Sequence, residues 1–190
     1  MNFELKTLDL ASAALQSGDL LIVLVADKQP KTSDALSTLI AHAQKNGDFE
    51  AKTGKLLAMY AVPAIEARHL LLLGIGDGSP QAVRQALAAA SAPLTREGIE
   101  RAAVVSAQPL DAASLHALLQ CLADSAYLYR TTKPSAKAVA LKSVVLGAPN
   151  APELEQAFEV AKATAQGVAF AREWANRPAN YATPKLLADA

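Results

Sequence analysis

A chain of 190 residues with 52% hydrophobic content can bury a full core, and its length sets the expectation of one globular body with a short appendage. Lys plus Arg number 18 and Asp plus Glu number 18, so no net field draws the chain to nucleic acid or to an anionic membrane surface. Cys121 is the only cysteine, which excludes an internal disulfide and a cysteine-based zinc cluster; its neighbours Leu118, Leu119 and Leu122 mark it as an inert core thiol.

Taken in chain order, segments of strand character alternate with segments of helical period, the pattern of an α/β layer architecture. Phe3 to Leu8 and Leu20 to Ala26 read as strands, the second continuously apolar, as in a strand covered on both faces. Leu36, Leu39, Ile40 and Ala43 then recur on one helical face, with Thr32 or Ser33 as the expected N-cap. Leu56 to Val62 and Leu70 to Ile75 are strands joined by a stretch around Pro63 that is too brief for a helical crossover, so they are antiparallel neighbours and the sheet is mixed. The apolar run from His69 to Ile75 is far too short to span a bilayer.

Ser79-Pro80 opens the next helix, with Ser79 as cap, Val83, Leu87 and Ala90 on one face, and an end expected before Gly98. Ala102 to Ser106 is a strand. A helix from about Asp111 to Tyr129 follows, carrying Leu115, Leu118, Leu119, Leu122 and Ala126 inward, and Ser143 to Leu146 forms the last strand. From Pro152 to Ala175 a long helix shows a thin, alanine-rich apolar seam through Leu154, Phe158, Ala161, Ala165 and Val168. Such a helix reads as a connector between two bodies. Thr183-Pro184 then caps and opens a further short helix, which is marginal by itself, so a longer protein is the expectation. The fold class expected is α/β, with a mixed central sheet flanked by helices and a long C-terminal connecting helix.

The chemistry on offer is sparse. Gly74-Ile75-Gly76-Asp77-Gly78-Ser79 is a glycine turn between strand and helix, where phosphate loops sit, but Ser79 stands where a third small residue belongs and Glu100 precedes the next strand instead of ending it. A tight turn with a cap is the preferred reading. His42, His69 and His116 have no metal-ligand spacing, and Glu153, Glu155 and Glu159 suit a solvated helix start. Arg130, Lys133, Lys137 and Lys142 form a basic loop around Pro134 without interleaved aromatics, and a solvated loop is preferred to a phosphate contact. No Gly-x-Ser-x-Gly elbow and no Walker loop occurs. The amino terminus, Met1 to Lys6, shows no signal-peptide pattern, so a cytoplasmic location is expected.

At the carboxyl end, Ala171-Arg172-Glu173-Trp174-Ala175-Asn176-Arg177-Pro178-Ala179-Asn180, followed by Thr183-Pro184 and Leu187-Ala188, resembles the leucyl aminopeptidase family of cytosolic metallopeptidases, also known as peptidase family M17. Gly47-Asp48-Phe49 with Gly54, and the leucine-rich strand ending Gly74-Ile75-Gly76-Asp77, agree with the amino-terminal domain of that family. The resemblance implies a macro-domain-like α/β unit at 1–149, a connecting helix at 150–175, and the start of the catalytic domain at 176–190. It assigns Arg172, Asn176, Pro178, Asn180, Thr183 and Pro184 to a structural motif, a rigid exit in which Asn176 and Asn180 bond backbone around Pro178.

The same resemblance implies a parent enzyme that removes amino-terminal residues from peptides with two divalent metal ions, manganese or zinc, held in a catalytic domain beyond this chain, and that assembles as a hexamer. No catalytic, cofactor or metal residue is carried onto this chain, which is expected to be inactive alone and to serve assembly and access to the active site. Two alternatives stand beside it: a macro-type domain that binds ADP-ribose or a nucleotide, suggested by the glycine turn and the fold, and a DNA-binding accessory domain, suggested by the basic loop and by family members that bind DNA.

Overall fold

The computed structural model describes residues 1–30, 32–133, 135–136 and 139–189. In chain order the elements are β1 (Asn2–Thr7), α1 (Leu10–Ala14), β2 (Leu20–Ala26), α2 (Ala35–Asn46), β3 (Leu56–Tyr60), β4 (His69–Gly76), α3 (Pro80–Ala89), α4 (Ser91–Leu94), β5 (Arg101–Ser106), α5 (Ala112–Ala126), β6 (Ser143–Ala148), α6 (Glu155–Asn176) and α7 (Pro184–Ala188). One-turn 3-10 segments at Ala151–Leu154 and Ala179–Tyr181 precede the last two helices.

Among the described residues the strands form one six-stranded sheet in the order β1-β6-β5-β2-β4-β3, in which β3 alone runs antiparallel to its neighbour. The expected mixed α/β architecture is therefore present. Every residue of β2 is buried, and β4 is buried from Leu70 onward, so these central strands need a cover on both faces. Side-chain alternation divides that cover. Leu20, Ile22 and Leu24 face the layer containing α3, α5 and α6, whereas Leu21, Val23 and Val25 face the layer containing α1 and α2.

Local chemistry sets the element ends, and several depart from the sequence-based expectation. Helix α2 is capped by Asp34, not by Thr32 or Ser33: its carboxylate accepts from the Ser37 amide at 2.8 Å, and the Thr32 hydroxyl donates to that same carboxylate. The helix expected to run from Ser79-Pro80 towards Gly98 breaks after Ala89 into two pieces. Helix α5 begins after Asp111, which caps it, and ends at Ala126, three residues before Tyr129. Strand β3 stops at Tyr60, because Ala61 takes a left-handed φ of 49° that a continuing ladder does not accommodate. Helix α1 has no counterpart among the expected elements; a reciprocal capping box between Asp9 and Ser12 starts it.

Helix α6 is 22 residues long and follows its 3-10 turn without a side-chain cap. Its first half belongs to the core, since Phe158, Ala161 and Ala165 are buried against the α5 layer. The segment leading into it is stitched to that layer by Asn150, which accepts from the Leu110 amide and donates to the Leu110 carbonyl, both at 3.0 Å.

Two constraints at opposite ends of the sheet yield measurable consequences. At the carboxyl end of β4, a Cβ on Gly74 would stand 2.8 Å from the Ala51 carbonyl oxygen and closer still to that of Lys52, so only glycine lets the 51–55 segment lie against the strand. Gly74→Ala is expected to destabilise the chain by about 2–3 kcal/mol in urea unfolding. Gly47→Ala, at a φ of 82° with open space around it, should cost only about 1 kcal/mol, and equal losses would contradict the packing argument.

At the other end, Asp19 accepts from the backbone N–H groups of Glu100 and Arg101 and pairs with Arg68 at 3.1 Å. Burial pushes its carboxyl up, but those backbone bonds and the guanidinium outweigh burial and hold it below the usual aspartate range. A carboxyl depressed on folding stabilises fully above its unfolded value and loses that contribution as pH falls through the folded one. Asp19→Asn should therefore lower the urea midpoint at neutral pH, and the gap to the parent should close as the pH falls below the ordinary aspartate range. A gap that persists unchanged in acid would show that Asp19 acts through shape alone.

Candidate functional site

The glycine turn comes first among the candidates because its place, after a strand and before a helix, suits an anion. All three of its glycine amides are already engaged: Gly74 N–H with the Lys55 carbonyl, Gly76 N–H with that of Ala51, and Gly78 N–H with that of Ile75, each at 2.9 Å. The Ser79 amide donates to the Asp77 carboxylate at 3.0 Å, and the Ser79 hydroxyl caps α3 by accepting from Ala82 at 3.3 Å. Such a turn offers a phosphate no converging glycine amides; Gly74 and Gly76 serve close packing and Gly78 serves a turn at a φ of 76°. Nothing in this geometry supports the ADP-ribose alternative.

The histidines lie on three elements, His42 on α2, His69 opening β4 and His116 on α5. Among the described residues no three His, Cys, Asp or Glu side chains are grouped to hold a metal ion. Cys121 is half-buried, and burial pushes its thiol up, away from the reactive thiolate. In the basic loop, Lys142 is paired with Glu100 at 2.7 Å, Arg130 and Lys133 are exposed, and Lys137 lies outside the described residues. Among the described residues no helix is long and apolar enough to cross a membrane.

Polar chemistry concentrates instead where α6 leaves the core. Arg172 stands over the end of α5, with Nη1 2.6 Å from the Asp124 carboxylate and its guanidinium carbon 5.5 Å from the Tyr127 ring centroid. Gln120 donates to the same Asp124 oxygen at 2.9 Å. One helical turn later Asn176 donates to the Tyr127 hydroxyl at 3.2 Å and to the Arg172 carbonyl at 2.9 Å. Thr131 donates to Glu173, whose carboxylate lies 3.5 Å from Arg177 Nε, an ion pair outside hydrogen-bond geometry. Arg177 in turn stacks on Trp174, its guanidinium carbon 4.0 Å from the ring centroid.

The exit is built differently from the sequence-based expectation. Pro178 forces Arg177 into extended backbone, ψ 134°, and this ends α6 at Asn176. Asn176 turns back to Arg172 and Tyr127 and does not bond around Pro178, while Asn180 sits exposed in the 3-10 turn. Thr183 caps α7 through the Leu186 amide at 3.3 Å, with Pro184 in the first turn, as expected. Asp124, Tyr127 and Thr131 are the partners that sequence reasoning missed; the aromatic pair Tyr127 and Tyr129 just past a helix end was the available signal.

Beyond Ala165 no residue of α6 is buried. Phe170, Tyr181, Leu186 and Leu187 are each about half exposed, so unburied apolar side chains accompany the polar clasp. Arg172 and Asp124 are themselves 41% and 38% exposed, which screens their pairing, so Arg172→Ala should cost only about 1 kcal/mol in urea unfolding, shared between the ion pair and the Tyr127 contact. Arg172→Lys should recover only part of it, because an ammonium lacks the flat guanidinium that spans both partners; full recovery would reduce the clasp to charge alone.

Three comparisons bear on what this architecture belongs to. The model of the N-terminal domain of the cytosol aminopeptidase family matches residues 22–136. A probable cytosol aminopeptidase from Verminephrobacter eiseniae is 50% identical over 190 residues, covering 100% of this chain and 37% of that protein. One from an Acidovorax species is 48% identical, with 100% and 38% covered. A solved structure of a tomato leucine aminopeptidase mutant superimposes with a TM-score of 0.73 over 100% of this chain and 41% of that one, at 22% identity, a likeness of fold. The chain thus spans about two fifths of the length of the relatives it matches.

Proposed function

Because the chain belongs to the cytosol aminopeptidase family and corresponds to its N-terminal domain, we propose that it is the non-catalytic front of a longer leucyl aminopeptidase, a hydrolase that releases amino-terminal residues from peptides. The observation that carries this reading is that Phe170, Tyr181, Leu186 and Leu187, all on the segment beyond the buried half of α6, stay about half exposed and would be covered by a following body. In this reading residues 1–149 form the domain, 150–175 connect it, and 176–190 enter the catalytic domain. Arg172, Asn176, Pro178, Asn180, Thr183 and Pro184 act as the structural exit. They fix the direction in which the following chain leaves and take no part in the chemistry.

In this reading two divalent metal ions, manganese or zinc, would be held by the catalytic domain of the parent and would supply Lewis acidity there, and no residue of this chain is assigned to hold them. The parent is a cytoplasmic hexamer acting on peptides, and this domain shapes assembly and access to the active site. No DNA-binding role is proposed, since Lys142 is already paired with Glu100.

The test compares leucine p-nitroanilide hydrolysis, with added manganese, by the purified 190-residue chain and by a protein in which a catalytic domain follows it. Turnover is expected from the longer protein alone. Hydrolysis by the short chain would overturn the non-catalytic assignment, and inactivity of both would overturn the aminopeptidase reading.

A further inference from the structure

At the amino-terminal end of the parallel strands, opposite the glycine turn, lies a cavity of about 230 Å³ bounded by Leu20, Ala58, Tyr60, His69, Leu71 and Pro93, with Arg96 at its rim. It exists because β3 is an edge strand that is covered unequally. Leu57 and Met59 are half-buried on one face, whereas Leu56, Ala58 and Tyr60 remain exposed on the other, where α4 is only four residues long.

The polar groups of this cavity are few and of one kind. The Arg96 guanidinium carbon stands 5.7 Å from the Tyr60 ring centroid, and Nη1 reaches the Tyr60 hydroxyl at 3.3 Å. Among the described residues no carboxylate comes within 4.0 Å of Arg96. His69 meets Tyr60 edge-on, with centroids 5.0 Å apart, and its Nδ1 is sealed from solvent with no hydrogen-bond partner among the described residues. Asp19, the nearby acid, is committed to Arg68 and to the Glu100 and Arg101 amides. An unpaired cation and a phenol therefore edge an otherwise apolar hollow, with the His69 ring beside them.

We propose that this cavity binds a small apolar monocarboxylate, with its carboxylate on Arg96 and the Tyr60 hydroxyl and its hydrocarbon body against Leu20, Ala58, Leu71 and Pro93. The His69 ring forms part of the same wall without donating to the ligand, because its Nδ1 is sealed from solvent. The volume of about 230 Å³ corresponds to roughly eight groups at about 30 Å³ each, the heavy-atom count of a branched six-carbon acid. A zwitterion such as a free amino acid fits poorly, because its ammonium would face Arg96 with Asp19 already engaged.

The experiment follows backbone amide shifts of the full 190-residue chain during titration with 4-methylpentanoate, with 4-methylpentanamide and leucine as the neutral and zwitterionic arms. Saturating shifts at Tyr60, His69 and Arg96 are expected with the acid in the millimolar range, with the other two at least about tenfold weaker. Arg96→Gln should abolish the preference for the acid, and Arg96→Lys should keep part of it. Arg96 is exposed, and unchanged β2 amide shifts in both variants would confirm an intact fold. Equal binding of acid and amide, equal binding of leucine, a preference that survives Arg96→Gln in the folded variant, or no saturation by about 50 mM would each overturn the proposal.

Discussion

The burial of β2 and β4 on both faces is the constraint from which the rest of the molecule follows. Two adjacent strands without an exposed apolar residue demand a helical layer above and another below, and the alternation of their side chains decides which helix packs where. Charge is thereby driven to the strand ends and the surface. Asp19 closes one end by taking two backbone amides, and the 51–55 segment closes the other by lying against Gly74.

This economy explains why so few groups are left for chemistry. The glycine turn, the best-placed anion site by topology, has its glycine amides bound to carbonyls: those of Gly74 and Gly76 hold the 51–55 segment against β4, and that of Gly78 closes the turn on Ile75. Cys121 sits half-buried in α5, where desolvation disfavours its thiolate. The unsatisfied features lie at the margins: the edge strand β3 with its hollow, and the second half of α6 with the short helix after it.

Much of this was legible in the sequence where burial and periodicity agree. The central strands, the antiparallel turn around Pro63, the α5 stripe and the Thr183-Pro184 helix start are local signals that tertiary context reinforces. What sequence did not disclose depends on partners distant along the chain. Helix α1 is five residues long, below the length at which period is visible, and only its Asp9 and Ser12 capping box marks it. Asp34 displaced Thr32 and Ser33 as a cap through geometry that three adjacent polar residues do not reveal. The Arg172 clasp joins residues 48 positions apart, so no spacing within the exit motif pointed to Asp124. Pro178 was readable for its effect on the helix, but the turning of Asn176 towards Tyr127 was not.

A closed core meets an open exit: most polar groups serve the fold, Arg96 and His69 Nδ1 excepted, and apolar side chains on α6 and α7 stay half exposed, as a covering domain would require. Amide hydrogen exchange, compared between this chain alone and a longer protein in which a catalytic domain follows it, tests that directly. Slow exchange is expected in β2 and β4 in both proteins, and exchange across residues 179–188 that is fast in the short chain and strongly slowed in the long one. Equal exchange of that segment in the two proteins would contradict a covered exit.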